Sequence, residues 1–324
     1  MLNRKPFKTF DEQLDILEGR GLRIADRDSA RLELMREGYY AVVNGYKDIF
    51  IDDAATSAAG DDRFVPGTSF THISVLFNFD RLLRRSTFAA LVSAETTVRT
   101  ALVYSFCDKH RDPDAYLDAT CYCGKGNYHA PQYYDGNLLK MLGVLQDAHD
   151  NAWDQNCIDH YLTHHGHVPL WVLVNTLTFG NVSHFYSLQQ RSVMNETCRI
   201  IAEGQGVPRI RPDRLRSAIS TLVDFRNICA HDDRLYCART GRRHGRAFDD
   251  MLLALEIVTS NDDMARYVFE LSGLVRLFDR FQDIQDKVLD AMRVELVDGF
   301  VQPRGGWRRG FSSELDALRK PAGQ

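Results

Sequence analysis

The chain has 324 residues, of which 44% are hydrophobic and 26% charged, and a net charge of −4 at pH 7. That composition suits a globular protein with an extensive core in one large domain or two. It excludes a surface coated in positive charge, while a local basic groove stays open.

No apolar run reaches 18 residues, so no membrane-spanning helix is expected. The basic N-terminus is followed by no apolar segment of the kind a signal peptide carries. Seven scattered cysteines then read as free thiols in a reducing cytoplasm.

Thr9-Phe10-Asp11-Glu12 has the form of a capping box, and Leu14, Leu17 and the closing Gly19 and Gly21 predict a short helix. A second helix is expected from Asp26 or Asp28 to Glu37, before Gly38. Tyr39-Tyr40 follows, and Asn44-Gly45 marks a turn ahead of Tyr46. Residues 52–69, with Asp52-Asp53, Gly60-Asp61-Asp62 and Pro66-Gly67, read as a mobile loop.

From Phe70 to His110 the pattern is helical, over a length that allows a kink or a break. Phe88, Val92, Glu95, Arg99, Leu102 and Phe106 recur there at steps of three and four. Glu95 and Arg99 thus form an i,i+4 pair inside an apolar stripe. On a surface such a pair contributes about 0.3–0.5 kcal/mol, whereas breaking a buried one costs roughly 3–5 kcal/mol. The two read either as a structural clamp or as groups that orient side chains in a cleft.

Residues 111–135 contain Pro113, Gly124, Gly126 and Pro131 and read as a loop-rich excursion. Cys121, Cys123 and His129 lack a further partner at zinc-site spacing. Cys157, His160 and His164 share a helical face from which Asp159 is absent. No metal site is expected from either group, and no cofactor. Val168-Pro169-Leu170-Trp171 opens an apolar helix reaching Phe179-Gly180, with Trp171 as anchor and Gly180 allowing a turn. Another helix covers 192–204, and residues 204–208 link it to the next.

Pro212 and Asp213 suit the first turn of that next helix. Leu215, Ala218, Ile219, Leu222 and Val223 follow at helical spacing, and the stripe extended three residues lands on Arg226. A guanidinium there is costly to bury unless it is paired or faces a cleft. Asn227 and His231 are four residues apart and stack on an adjoining face. One helix end thereby offers a cation, an amide and an imidazole, a set suited to handling a phosphodiester. The spacing alone is weak evidence, since Arg239 and His244 repeat it within a loop. Arg234, Arg239, Arg242, Arg243 and Arg246 follow with no acidic residue among them. They are either nucleic-acid contacts or a solvated loop.

Asp249–Val258 and Asp263–Val294 are helical in period. Around Trp307 the tail interleaves an aromatic with arginines, which suits RNA contact or a loose terminus. No period-2 stretch predicts a sheet. The organisation expected is all-α: an N-terminal extension and loop over 1–69, a helical core over 70–298, and a basic tail over 299–324.

The run Arg226 to Tyr236 resembles the RN-x3-H signature of the HEPN superfamily, in the form RNxCAHxxRLY of Abi-like (abortive infection, AbiD/AbiF-type) proteins. Two further stretches resemble that family in the same order. One is the opening with Gln13, Leu17, Gly21-Leu22, Tyr39-Tyr40 and Gly45-Tyr46; the other runs from Pro169-Leu170-Trp171 to Phe185-Tyr186. The likeness spans Lys5 to Tyr236.

It implies a HEPN-like helical bundle and a cytoplasmic, prokaryotic anti-phage protein acting on RNA. The activity implied is metal-independent endoribonuclease cleavage leaving 2′,3′-cyclic phosphate and 5′-OH ends. The alternative is a non-catalytic RNA-binding protein in a stable complex with a structured non-coding RNA. A toxin silenced by a partner protein would use the same chemistry. In the nuclease reading His231 is general base or acid, because an imidazole ordinarily titrates near neutral pH. Arg226 holds the scissile phosphate, Asn227 orients the histidine or a phosphate oxygen, and Glu95 is the acidic group opposite the motif. A homodimer would bring two motifs into one cleft.

Overall fold

The structure is a computed structural model and describes residues 6–150, 156–241 and 245–319. Helix α1 (Phe10–Gly19) starts from the capping box read in the sequence: Thr9 caps Glu12 and the Glu12 side chain returns to the Thr9 N–H. Helix α2 (Arg27–Glu37) is capped by Asp26. A π-helical turn over Tyr40–Asn44 and a 3-10 turn over Asp48–Phe50 lead onward. The stretch expected to be a mobile loop contains a third helix, α3 (Asp53–Ala59). The Asp52 side chain accepts the Ala55 N–H at 2.9 Å, and Gly60 ends the helix at φ +68°. Two acidic residues in series suggest solvation, but the first of them is a cap.

Helix α4 (Phe70–Lys109) runs 40 residues without interruption, about 60 Å at 1.5 Å per residue. The sequence allows a kink; the continuity follows from the absence of Pro and Gly between Phe70 and Lys109. Its buried stripe includes Ile73, Leu76, Leu83, Leu91, Val98 and Phe106. Val92 lies outside that stripe, 41% exposed, whereas Glu95 is buried within it and Arg99 is half-buried.

After a loop-rich stretch come α5 (Tyr134–Asp150), α6 (Asn156–His165), the single turn α7 (Leu170–Leu173), α8 (Phe179–Ser187) and α9 (Arg191–Gly204). Two expectations fail here. Trp171 is 55% exposed and anchors nothing, while Leu170, Leu173 and Val174 fill the core instead. Gly180 lies within α8, and the turn is made by Thr178, whose hydroxyl accepts the Asn181 N–H at 3.2 Å.

Helices α10 (Pro212–Ala230), α11 (Phe248–Val258) and α12 (Asn261–Val275) follow; α9 to α12 all contact α4. The helical period read from Asp263 to Val294 is broken by a 3-10 turn at Arg276–Phe278 before α13 (Gln282–Met292). A hairpin of β1 (Val294–Val297) and β2 (Phe300–Pro303) comes next, then α14 (Ser312–Arg319). Asp298 and Gly299 make the hairpin turn, at φ +52° and +80°. That Asp-Gly pair is a hairpin signal in the sequence, missed because four-residue strands are too short for a period-2 pattern. One continuous core joins residues from Leu14 to Leu315. No described helix is long and apolar enough to cross a membrane.

Candidate active site

Helix α10 buries Leu215, Ala218, Ile219, Leu222 and Phe225. The apolar stripe therefore continues to Phe225, fully buried, and not through the half-buried Val223 to Arg226. Arg226 stands one residue further round, at the stripe's edge, and its side chain lies against α4. Its Nε is 3.5 Å from Glu95 Oε2, and its guanidinium carbon is 5.8 Å from the centre of the Phe88 ring. Glu95 is 6% exposed and also accepts from Arg99, whose guanidinium reaches the Leu177 carbonyl at 3.4 Å. One carboxylate thus makes both contacts. The clamp within α4 is the same carboxylate that positions Arg226.

This triad is short of acceptors. Two guanidiniums share one carboxylate, and the buried Nε atoms of Arg99 and Arg226 have no hydrogen-bond partner. The Arg226–Glu95 contact is an ion pair without hydrogen-bond geometry. A site so arranged favours an additional anion.

Asn227 and His231 are exposed. His231 caps the C-terminus of α10, with its N–H on the Asn227 carbonyl at 3.0 Å. At about 100° per residue, Arg226 and His231 leave the helix about 140° apart. Sequence spacing puts all three groups within a few ångströms of one another. The structure leaves Asn227 and His231 exposed at the helix end and turns Arg226 toward Glu95.

The segment after His231 is held by residues that sequence reasoning missed. Asp80, fully buried, accepts the Tyr46 hydroxyl at 2.8 Å, Arg84 Nη1 at 2.7 Å, the Leu235 N–H at 3.1 Å and the Tyr236 N–H at 2.7 Å. Burial pushes the Asp80 carboxyl up, and Arg84 with the other donors pulls it back. Arg84 also pairs with Asp232 at 2.6 Å, and Asp232 takes the left-handed conformation at φ +59°. Arg234 reaches the Gly45 carbonyl at 2.8 Å and Asp48 at 2.9 Å, while the rings of Tyr46 and Tyr236 stack at 6.2 Å. Gly45-Tyr46 and Arg234-Leu235-Tyr236, far apart in sequence, therefore meet on α4. A signal existed: Asp80 and Arg84 repeat the i,i+4 acid–base spacing of Glu95 and Arg99 on the same helix.

The arginine run is dispersed. Arg234 is committed to the N-terminal segment, and Arg239 donates to the Ala238 carbonyl at 2.9 Å. Arg246 lies on α10, 3.1 Å from Ser220 Oγ and 3.6 Å from Asp224. Ser220, Asp224, Asn227 and His231 follow at steps of three and four, so Arg246 docks on the motif's own exposed face. It lines a polar cavity of about 440 Å³ with His184 and Arg216. Arg242, Arg243 and His244 lie outside the described residues.

Cys123 is buried and Cys121 half-buried, and burial raises both thiols. The rings of His160 and His164 lie 4.3 Å apart, tilted by 31°; the Cys157 side chain lies outside the described residues. Among the described residues no group of three or more His, Cys, Asp or Glu is arranged to hold a metal ion.

The sequence profile of the Abi-like protein family matches residues 33–237, well over half of the chain. The chain belongs to that family. The match takes in Tyr46, Asp80, Arg84, Glu95, Arg226, His231 and Tyr236, hence both the Glu95 triad and the Asp80 network. Membership supports a role in prokaryotic abortive-infection defence. No curated protein and no solved structure matches the chain.

Proposed function

We propose that this Abi-like protein is a HEPN-type endoribonuclease that cleaves RNA without a metal, as a homodimer. The observation that carries the reading is the Glu95 triad, in which Arg226 is held beside a buried carboxylate that cannot neutralise both of its guanidinium partners. A phosphodiester supplies the missing negative charge. RNA carries its own nucleophile, so the protein must move protons and stabilise charge.

The 2′-OH oxygen attacks the adjacent phosphorus and gives its proton to His231. The P–O5′ bond breaks, and the leaving oxygen takes a proton from a second imidazole. That leaves a 2′,3′-cyclic phosphate and a 5′-OH. Arg226 carries the charge that builds on the non-bridging oxygens, and Asn227 orients the histidine or a phosphate oxygen. One chain has one such histidine, directed about 140° from Arg226. His231 of a second copy would supply the second proton-transfer group, which is why the reading includes a two-fold dimer. Arg239, Arg242, Arg243 and Arg246 would guide the strand toward that cleft.

The polar face of α10, half-buried under Arg246 at Ser220 and Asp224 and exposed at Asn227 and His231, also favours a second reading. In it the protein grips a structured non-coding RNA and turns nothing over. The deciding experiment incubates purified protein with RNA in excess EDTA and analyses the ends. Cyclic-phosphate products that vanish in Arg226→Ala and His231→Ala support the nuclease. Tight RNA binding without cleavage supports the scaffold. Cleavage lost in EDTA and restored by a divalent ion would sink the metal-free mechanism, and a strict monomer by light scattering would remove the composite site.

A further inference from the structure

A second cluster of guanidiniums lies at the opposite end of α10. Its N-terminal turn carries Arg214, and the preceding segment carries Arg209 and the cap residue Arg211, which makes no side-chain cap hydrogen bond. The C-terminal tail brings in Arg308 and Arg309. Arg209, Arg214, Arg308 and Arg309 line a cavity of about 190 Å³ with Glu256 of α11, and Glu314 of α14 is a second carboxylate near Arg309. Glu256 is 1% exposed. It accepts the Arg309 N–H and so holds the tail in place.

The guanidiniums are under-satisfied. Arg309 spends one nitrogen on the Thr259 carbonyl at 2.8 Å. Its Nε and Nη1 are buried without a hydrogen-bond partner, as are Nε of Arg214 and one oxygen of Glu256, so three donor atoms face a single open acceptor. Burial and the neighbouring Arg308 push Arg214 below the ordinary arginine value, and burial with Arg214 does the same to Arg309. Four guanidiniums, two of them half-buried, that outnumber their carboxylates favour an added anion. The uncapped start of a 19-residue helix adds partial positive charge in the same place.

Size selects the ligand. A typical small-molecule site measures roughly 300–1,000 Å³, so this cavity takes a compact oxyanion and not a whole nucleotide. We propose that the Arg209–Arg214–Arg308–Arg309 pocket binds one backbone phosphate of RNA, as an anchor remote from the Arg226 site. The assignment rests on the RNA reading above. Arg214 and Arg226 are twelve residues apart on one helix, about 18 Å at 1.5 Å per residue. The two side chains also leave the helix about 120° apart, so a strand held at both ends of α10 crosses obliquely over it. Glu256 and the tail form a wall of that anchor, which gives the Trp307–Arg309 stretch a role beyond packing.

The test uses the full-length protein and the double variant Arg209→Gln/Arg308→Gln, both side chains being exposed. Arg308→Gln alone serves if the double variant melts early. A fluorescein-labelled single-stranded RNA is titrated across a salt series. The expected result is weaker binding and a log–log salt slope smaller by about 0.7, the share of one neutralised phosphate on a single strand. An unchanged slope overturns the proposal. In parallel, inorganic phosphate is compared with chloride at equal ionic strength by thermal melting. A rise in Tm seen in the wild type and absent from the variant supports the pocket. The same rise beside an unchanged RNA slope marks a free-phosphate site and overturns the RNA assignment. If the wild type binds no RNA, the functional reading fails by itself, and the phosphate arm alone then decides the pocket: no shift overturns it.

Discussion

The Asp80 carboxylate accepts the backbone N–H of Tyr236 at 2.7 Å, across 156 residues of chain, and so ties the end of the motif segment to the long helix α4. The same carboxylate receives Tyr46 and Arg84. The position of His231, five residues before Tyr236, is therefore set by a buried charge that is nowhere near the motif in sequence. The loop between them turns through the left-handed Asp232, itself held by Arg84.

Asp80→Ala leaves one hydroxyl and two N–H groups buried without their acceptor and takes from Arg84 one of its two carboxylates. Removing one partner of a buried pair costs about 3–5 kcal/mol, and urea unfolding should show a loss of that size. Asp80→Asn keeps an acceptor oxygen and should lose less. A loss under about 1 kcal/mol for the alanine variant would mean that the network does not stabilise the fold.

His231→Ala changes an exposed side chain, so stability should stay within about 0.5 kcal/mol of wild type while cleavage disappears. Matched melting curves beside a product gel check both halves. A variant that retains full cleavage would remove His231 from the chemistry.

Glu95→Gln takes the shared charge away from two arginines at once, whereas Arg226→Ala still leaves Glu95 paired with Arg99. The glutamine variant should accordingly be the less stable of the two. The double variant Glu95→Gln/Arg226→Gln should lose less than the sum of its single changes, with a coupling of about 0.5–3 kcal/mol. Strict additivity in a denaturation cycle would show that the two groups do not interact.

Acidification should weaken the fold through three histidines. Burial lowers His72, His110 and His184 below the ordinary imidazole value of 6.5. The unfolded chain then binds protons at a pH where the folded one does not, so stability rises with pH. It is fully present above 6.5 and is lost as pH falls through that value toward the lower folded values. Thermal melts at a series of pH values from neutral down to mildly acidic should show Tm falling over this window. A flat Tm would mean that these imidazoles titrate as they do in the unfolded chain.

Much was legible in the chain itself. The helical period, the Thr9 capping box and Pro212 at the start of α10 are local properties, determined by residues within one or two turns, and they appear where the pattern puts them. The motif from Arg226 to Tyr236 was legible for the same reason, being contiguous. So was the pairing of Glu95 with Arg99, since i,i+4 neighbours meet on any helix.

What the tertiary structure alone decided is which faces look at which. A one-residue difference in where the apolar stripe runs, through Phe225 and not Arg226, rotates a side chain by about 100°. That rotation sends Arg226 to Glu95 while His231 faces solvent. Whether Trp171 is core or surface, and whether Arg234 serves RNA or the N-terminal segment, depends on partners more than a hundred residues away in sequence or on the depth of a neighbouring helix. No local pattern encodes those distances. Asp80 shows the limit most plainly: its spacing to Arg84 is visible in the sequence, but only the packed fold supplies the Tyr46 hydroxyl and the two N–H groups that make a buried carboxylate tolerable.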